Sequence, residues 1–156
     1  MRIVSILENQ IIEKRIAVTP ETVKKYISLG IDVSLQKNYG AHLGFDDSLY
    51  KDLGVEIIDN EKDLFDKADI AIQLGLPADD KLSYLKENQS IIGVLNPYLN
   101  KKKIDDLIKK KIKNFSLELL PRITRAQSMD ILSSQANLAG YKAVVESFAS
   151  FEKAIP

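Results

Sequence analysis

The sequence predicts a three-layer α/β domain, with a mainly parallel β-sheet and helices on both of its faces. Short β-branched apolar runs alternate along the chain with segments of helical periodicity, which is the pattern of βαβ units. In addition, two helix-to-strand junctions share one design. Leu-Gly-Ile-Asp-Val at 29–33 and Leu-Gly-Val-Glu-Ile at 53–57 both place a glycine where a helix ends and a strand begins.

Six short runs rich in Val, Ile and Leu are predicted to be the strands. The first of them, Arg-Ile-Val-Ser-Ile-Leu, is mostly apolar, as expected of a strand that is buried on both faces. The predicted strands are residues 2–7, 31–35, 55–58, 70–74, 90–95 and 114–119. Right-handed crossovers should join them, and ligands bind such sheets where loops leave the carboxyl ends of strands.

The segments between these strands carry helix signals. Thr19, Pro20 and Glu21 supply an N-cap, a first-turn proline and a first-turn acid, and Gly30 ends that helix. In the fifth predicted helix, Ile, Leu, Ile and Ile at 104, 107, 108 and 112 form one apolar face. The predicted helices span residues 20–29, 47–53, 61–68, 79–86 and 100–113.

A long final helix is predicted to begin at Ser128 or Ser133 and to end near Phe151. Its apolar side changes after residue 143, so the helix would bury first one side and then the other. This is expected where a chain leaves one domain and enters the next. We therefore predict an α/β domain at 1–127, a loop and interdomain linker helix at 128–156, and a longer complete protein.

Composition excludes several classes of protein. Twenty-two basic and 22 acidic residues cancel, so no net field attracts nucleic acid or an anionic membrane. The chain has no cysteine, which excludes disulfides and thiol chemistry. No segment approaches the roughly 20 apolar residues of a membrane span. We expect no nucleic-acid partner and no direct membrane insertion.

The polar stretch after the sixth predicted strand holds the candidate ligand site. Arg122, Gln127, Asp130 and Ser133 offer donors and acceptors that suit an amide and an oxyanion, without a nucleophile and base. The same residues also suit the solvated face of a capped helix, in which Thr124 and Gln127 form a capping box. Spacing alone favours this simpler interpretation.

Three other features have two interpretations each. His42 is a possible acid or base, but without a second histidine or a carboxylate cluster nearby it is better read as a loop residue, and a metal site is not expected. Arg15, beside Glu8 and Glu13, can bind a carboxylate or staple its own loop. The segment 100–113 has a net charge of +5, which suits a docking patch or, preferably, a solvated helix face. The phosphate-binding pattern G-x-G-x-x-G is absent.

Two runs carry a family resemblance. Arg-Ile-Thr-Arg-Ala-Gln-Ser-Met-Asp at 122–130 and Ser-Ser-Gln-Ala-Asn-Leu-Ala-Gly-Tyr at 133–141 closely resemble the loop and linker helix of proton-translocating NAD(P) transhydrogenases, in their alpha subunit or NAD(H)-binding component. Glu-Lys-Arg-Ile-Ala-Val-Thr-Pro at 13–20 and Gly-Phe-Asp-Asp at 44–47 are similar to the same family. The resemblance covers essentially the whole chain, and alanine dehydrogenases share it more loosely.

The resemblance implies a flavodoxin-like (Rossmann-like) domain that works beside a second, dinucleotide-binding Rossmann domain, which this chain lacks. It implies direct hydride transfer between NAD(H) and NADP(H), the latter on a partner component, coupled to proton translocation across a membrane. Carried over by position, Arg122, Gln127, Asp130 and Ser133 contact the nicotinamide end of NAD(H), and Gln127 and Asp130 take the catalytic positions.

The implied partners are membrane-spanning and NADP(H)-binding components, with a homodimer of the complete NAD(H) component. The implied location is the cytoplasmic side of the inner membrane, peripheral through those partners. This fragment alone is expected to be inactive. Two alternatives stay open: the N-terminal domain of an alanine-dehydrogenase-like enzyme, or a non-catalytic interaction module. Gln73 and Asn96 replace a lysine and a histidine of alanine dehydrogenases, which argues against that activity although Arg15 is retained.

Overall fold

A computed structural model of the chain describes residues 1–153, so the last three residues of the predicted linker segment lie outside the described part. The chain divides into two compact units: Met1–Ser116, and a second unit that begins at Leu117. This division lies upstream of residue 127, where the α/β domain was predicted to end, and that boundary stays a prediction about the complete protein. No helix in the described residues is long and apolar enough to cross a bilayer.

Six parallel strands form the sheet of the first unit, as predicted. They are β1 (Arg2–Ser5), β2 (Asp32–Gln36), β3 (Glu56–Ile58), β4 (Ile70–Gly75), β5 (Ser90–Val94) and β6 (Lys113–Ser116). Their spatial order is β3-β2-β1-β4-β5-β6. This is the order of Rossmann sheets, so Rossmann-like describes the domain more closely than flavodoxin-like, and the switch point lies between β1 and β4. The sixth strand was predicted to reach residue 119, but it ends at Ser116 because Leu117–Leu119 turns into a 3₁₀ helix.

Five helices connect the strands, and a sixth follows them. They are α1 (Pro20–Ser28), α2 (Asp47–Asp52), α3 (Glu61–Asp66), α4 (Asp79–Leu82), α5 (Lys101–Lys109) and α6 (Ile131–Ser150). The start of α1 is the predicted one, with a reciprocal capping box between Thr19 and Thr22. Gly30 has the left-handed backbone expected after a helix, with φ of 74°. The fifth helix ends before its predicted limit because Lys111 adopts φ of 58°, which stops it.

The core lies on both faces of the sheet, which confirms the three-layer prediction. On one face α3, α4 and α5 pack over the sheet and bury, among others, Val4, Ile6, Leu64, Phe65, Ile91 and Leu107. On the other face α1 and α2 bury Val18, Val23, Val33, Leu35, Tyr39, Tyr50 and Val55. The alternation of β1 side chains between these clusters follows from the period of two in a strand. Ser5, between Val4 and Ile6, therefore points to the Tyr39 face.

Candidate functional site

The second unit is built around the start of α6, where Asp130 is the N-cap. Its backbone is extended, with φ of −74° and ψ of 92°, and its Oδ1 accepts hydrogen bonds from the amides of Leu132 and Ser133, both at 3.0 Å. These bonds satisfy two of the amides that a helix start leaves without partners. The position that sequence reasoning assigned to a ligand is thus also the cap of the longest helix.

The second carboxylate oxygen of Asp130 holds two further side chains. The Ser133 hydroxyl donates to Oδ2 at 2.6 Å, and the Nε of Arg122 lies 3.8 Å from the same oxygen. The hydrogen bonds from Ser133, more than the nearby guanidinium, lower the pKa of Asp130 below its ordinary value. Asp130 is therefore a fixed carboxylate, and the exposed Arg122 is drawn toward it.

All four predicted site residues line one open cavity of about 280 Å³. Arg122, Gln127, Asp130 and Ser133 share it with four further residues, which are Pro121, Ile123, Thr124 and Ala126. Sequence reasoning did not single out these four. Only the buried Ala126, an apolar residue in an otherwise exposed polar stretch, left a signal in the pattern. The structure thus brings the predicted set together, while the role of the set remains a prediction.

Gln127 differs from its neighbours because its side-chain amide makes no hydrogen bond within residues 1–153. The predicted capping box between Thr124 and Gln127 is wrong. Thr124 lies inside a 3₁₀ helix, Thr124–Met129, whose N-cap is Ile123 and which has no side-chain cap. Because Thr124 is one position too late to cap, the amide of Gln127 is left unengaged at the edge of the cavity.

The helix α6 has no buried residue within the described chain. It exposes large apolar side chains along its length and just after its end: Leu132, Leu138, Tyr141, Val144, Val145, Phe148 and Phe151. The predicted exchange of apolar sides along this helix therefore corresponds to apolar groups that the second unit does not itself cover. The interdomain role of the helix stays a prediction.

In the first unit, Gln73 is buried and fully engaged. It is 3% exposed, and its Oε1 accepts from the Ser5 hydroxyl at 2.9 Å and from the Ile6 amide at 2.8 Å. Its Nε2 donates to the Ile6 carbonyl at 3.2 Å and to Glu8 at 3.1 Å. The Ser5 hydroxyl is also 2.8 Å from the Tyr39 hydroxyl, which accepts from two backbone amides of the loop after β1. The network joins that loop to the sheet at the switch point.

The two candidates in the loop after β1 make local contacts. Arg15 forms a bidentate pair with Glu13, at 2.8 Å from Nε and 2.6 Å from Nη2. The ring of His42 lies 2.7 Å from the Lys14 carbonyl through Nε2 and 3.2 Å from the Gln10 amide through Nδ1. Because a carbonyl only accepts, Nε2 carries the proton and Nδ1 accepts from Gln10. Both side chains therefore staple their loop.

Comparison with known proteins identifies the family. A protein-family model described as "Alanine dehydrogenase/PNT, N-terminal domain" matches residues 6–139. The chain belongs to this family. The first of the separate chains of the NAD(P) transhydrogenase alpha subunit in Rickettsia prowazekii is 38% identical to it, over 100% of this chain and 42% of that protein. The protein of the same name from Rhodospirillum rubrum is 36% identical, over 92% of this chain and 39% of that protein.

A solved structure supports the same assignment. The transhydrogenase from Sinorhizobium meliloti superposes with a TM-score of 0.88 at 35% identity, over 98% of this chain and 46% of that chain. "Alanine dehydrogenase 1" of Staphylococcus aureus is more distant, at 28% identity over 85% of this chain. The resemblance to the transhydrogenase alpha subunit is confirmed, in an oxidoreductase context. This member of the family spans about two fifths of the length of the two transhydrogenase relatives.

Proposed function

We propose that this chain is the N-terminal part of a transhydrogenase that transfers hydride directly between NAD(H) and NADP(H), coupled to proton translocation. In this proposal its second unit supplies the wall that positions the nicotinamide of NAD(H). The observation that carries the proposal is the shared cavity of Arg122, Gln127, Asp130 and Ser133. The transhydrogenase resemblance assigns the same four residues to the nicotinamide end of the cofactor.

The residues of the cavity fit one end of a dinucleotide. Its volume of about 280 Å³ is near the lower limit of roughly 300 Å³ for small-molecule pockets. The free amide of Gln127 offers a donor and an acceptor, which is the complement of a carboxamide. The chain has no glycine-rich turn for a pyrophosphate. We therefore infer that this wall holds the nicotinamide end and that the phosphates bind elsewhere in the complete protein.

Each of the four side chains would have a separate task. Asp130 holds Ser133 by a 2.6 Å hydrogen bond and attracts Arg122, so the polar edge of the cavity is preorganised. Gln127 is the group left to bind the carboxamide. NAD(H), when bound, supplies the hydride chemistry. Orientation and exclusion of water serve hydride transfer more than an acid or a base does, which agrees with a set that lacks both.

The remaining parts of the proposal follow from the family. The partners are membrane-spanning and NADP(H)-binding components, the complete NAD(H) component is a homodimer, and the assembly places this chain at the cytoplasmic side of the inner membrane. Because this chain lacks a pyrophosphate-binding turn, we expect residues 1–156 alone to be inactive and to bind NADH weakly in calorimetry. Tight binding by the fragment would contradict this division of labour.

The alanine dehydrogenase alternative is disfavoured by two side chains of the first unit. Gln73 stands where those enzymes have a lysine, and it is buried and occupied by Ser5, Ile6 and Glu8. Arg15 is retained but forms a bidentate pair with Glu13. We expect the complete protein to show no pyruvate-dependent oxidation of NADH in an absorbance assay, and such activity would favour the alternative.

Asp130→Asn in the complete protein, assembled with its partner components, tests the proposal. Asparagine caps helices about as well as aspartate, so the start of α6 is kept while the charge that attracts Arg122 is lost. We expect hydride transfer to fall about 10- to 100-fold, with NADH affinity changed far less. Arg122→Lys should act in the same direction. Arg125→Lys, in the same 3₁₀ helix but outside the cavity, is the matched control. Lost affinity with intact turnover would refute a positioning role.

A further inference from the structure

A groove in the first unit runs between α4 and α5 and is separate from the nicotinamide cavity. It has a volume of about 340 Å³. The buried Leu82 of α4 and Leu107 of α5 line it, and so does Leu99, which is 87% exposed. The groove therefore combines a firm apolar base with an apolar side chain that no other part of the first unit covers.

The charges around the groove are unevenly paired. Lys103 pairs with Asp79 across the groove at 2.9 Å, and Asp106 pairs with Lys109 at 3.1 Å. Lys102 and Lys110 also line the groove, and neither has a carboxylate within ion-pair distance among residues 1–153. They are eight residues apart at the two ends of α5, which places them about 12 Å apart along the helix axis.

The apolar residues beside these lysines are held by an ordered turn. The amides of Leu99 and Asn100 donate to the Asn96 carbonyl at 3.0 and 2.9 Å, and the Asn100 side chain donates to the Leu95 carbonyl at 2.9 Å. Tyr98 and Leu99 are nevertheless 85% and 87% exposed. A solvated lysine face, the interpretation preferred from sequence, needs no apolar groove and no fixed apolar pair at its end.

We propose that this groove binds an acidic amphipathic helix of a partner protein. Two carboxylates of that helix, about two turns apart, would pair with Lys102 and Lys110. A leucine-like side chain between them would pack on Leu82 and Leu107, with Leu99 closing over it. This is the helix-in-groove mode, in which charge at the edges sets the register of an apolar anchor. The inference is independent of the proposed nicotinamide site, since none of these residues belongs to it.

The shape and the charges favour a protein helix over an anionic membrane. A bilayer surface is flat and cannot fill a groove whose apolar base is buried. Asp79 and Asp106 line the same groove, and Asp105 is exposed on the same helix. These three carboxylates would face anionic headgroups at close range and oppose their binding. A helix with spaced charges can avoid them.

A synthetic helix with two glutamates eight residues apart and one leucine midway is a direct probe, with fluorescence anisotropy as the readout on the full chain. We expect saturable binding that weakens with salt. Lys102→Glu with Lys110→Glu should reduce affinity about tenfold or more. Lys24→Glu with Lys51→Glu makes the same charge change at exposed positions of α1 and α2 and should leave affinity within about twofold.

Leu99→Ser tests the apolar half separately, and it should fold normally because the side chain is exposed. It should weaken probe binding without changing its salt dependence. The proposal is overturned if the probe does not bind, if a helix of the same composition with leucine moved to the opposite face binds equally well, or if the charge reversal has no effect. Lysine-dependent binding to phosphatidylserine vesicles without binding to the probe would also overturn it, in favour of a membrane surface.

Discussion

Replacing Gln73 with leucine tests how the first unit is held together at the switch point of its sheet. Gln73 is 3% exposed and makes four hydrogen bonds, to Ser5, to the amide and carbonyl of Ile6, and to Glu8. Leucine has nearly the same shape but can make none of them. The Ser5 hydroxyl keeps its 2.6 Å bond to the Ile72 carbonyl, whereas the amide of the buried Ile6 loses its partner.

The magnitude follows from this inventory. A buried amide without a partner costs about 1–3 kcal/mol, and the other lost hydrogen bonds cost about 0.5–1.5 kcal/mol each before the gain from a buried leucine. We expect Gln73→Leu to lower the free energy of unfolding by about 3 kcal/mol. The first unit is Met1–Ser116, and for a domain of that size 3 kcal/mol corresponds to a fall in Tm of about 12 °C.

Urea unfolding followed by circular dichroism measures the effect at constant temperature. Gln10→Leu is the matched control, since Gln10 makes one exposed side-chain contact, to His42, and its loss should change stability by less than about 0.5 kcal/mol. A cost for Gln73→Leu below about 1 kcal/mol would refute the reasoning. It would mean that the loop after β1 finds other partners when the network is cut.

Two further changes in the first unit have defined signs. A Cβ at Gly93 would lie 2.4 Å from the Gln73 carbonyl oxygen, so Gly93→Ala should cost about 1–3 kcal/mol in the same urea assay. Gly140→Ala in α6, where nothing lies within 4 Å, should instead stabilise that helix in a circular dichroism melt. Burial raises the pKa of Glu8, so the folded state holds this proton more tightly and the contribution of Glu8 to stability falls as pH rises from about 4.5 through the raised pKa. Glu8→Gln should therefore match the wild type in urea at pH near 4 and exceed it at pH near 8, and a constant difference between these pH values would contradict the assignment.

Local signals predicted the elements of the first unit well. Thr19 with Pro20, and the glycines at 30 and 54, are cues that act within one turn of the chain, and the structure uses all three. The alternation of strands and helices was likewise sufficient for the three-layer class, which is confirmed by the folded domain and its solved relatives. These features depend on residues close together in the sequence, so no partner had to be known.

Contacts between distant residues could not be predicted in this way. Glu8 and Gln73 are 65 residues apart, and nothing in the sequence indicates that they meet. The start of α6 failed for a local reason: Thr124 and Gln127 match a capping box, but an intervening 3₁₀ helix transfers the cap to Asp130. Aspartate three residues before Ser133 was an available cap signal, and it competed with an equally good pattern upstream.

The measurement that tests the central claim most directly is the rate of hydride transfer in Gln127→Asn, made in the complete, assembled protein and set beside its NADH affinity. The shorter side chain keeps the amide but withdraws it from the cavity. We predict a fall in hydride transfer of about 10- to 100-fold, with NADH affinity nearly unchanged. The control is Gln135→Asn, on α6 and outside the cavity, which should behave as the wild type. Wild-type hydride transfer in Gln127→Asn would contradict the claim that this side chain positions the nicotinamide.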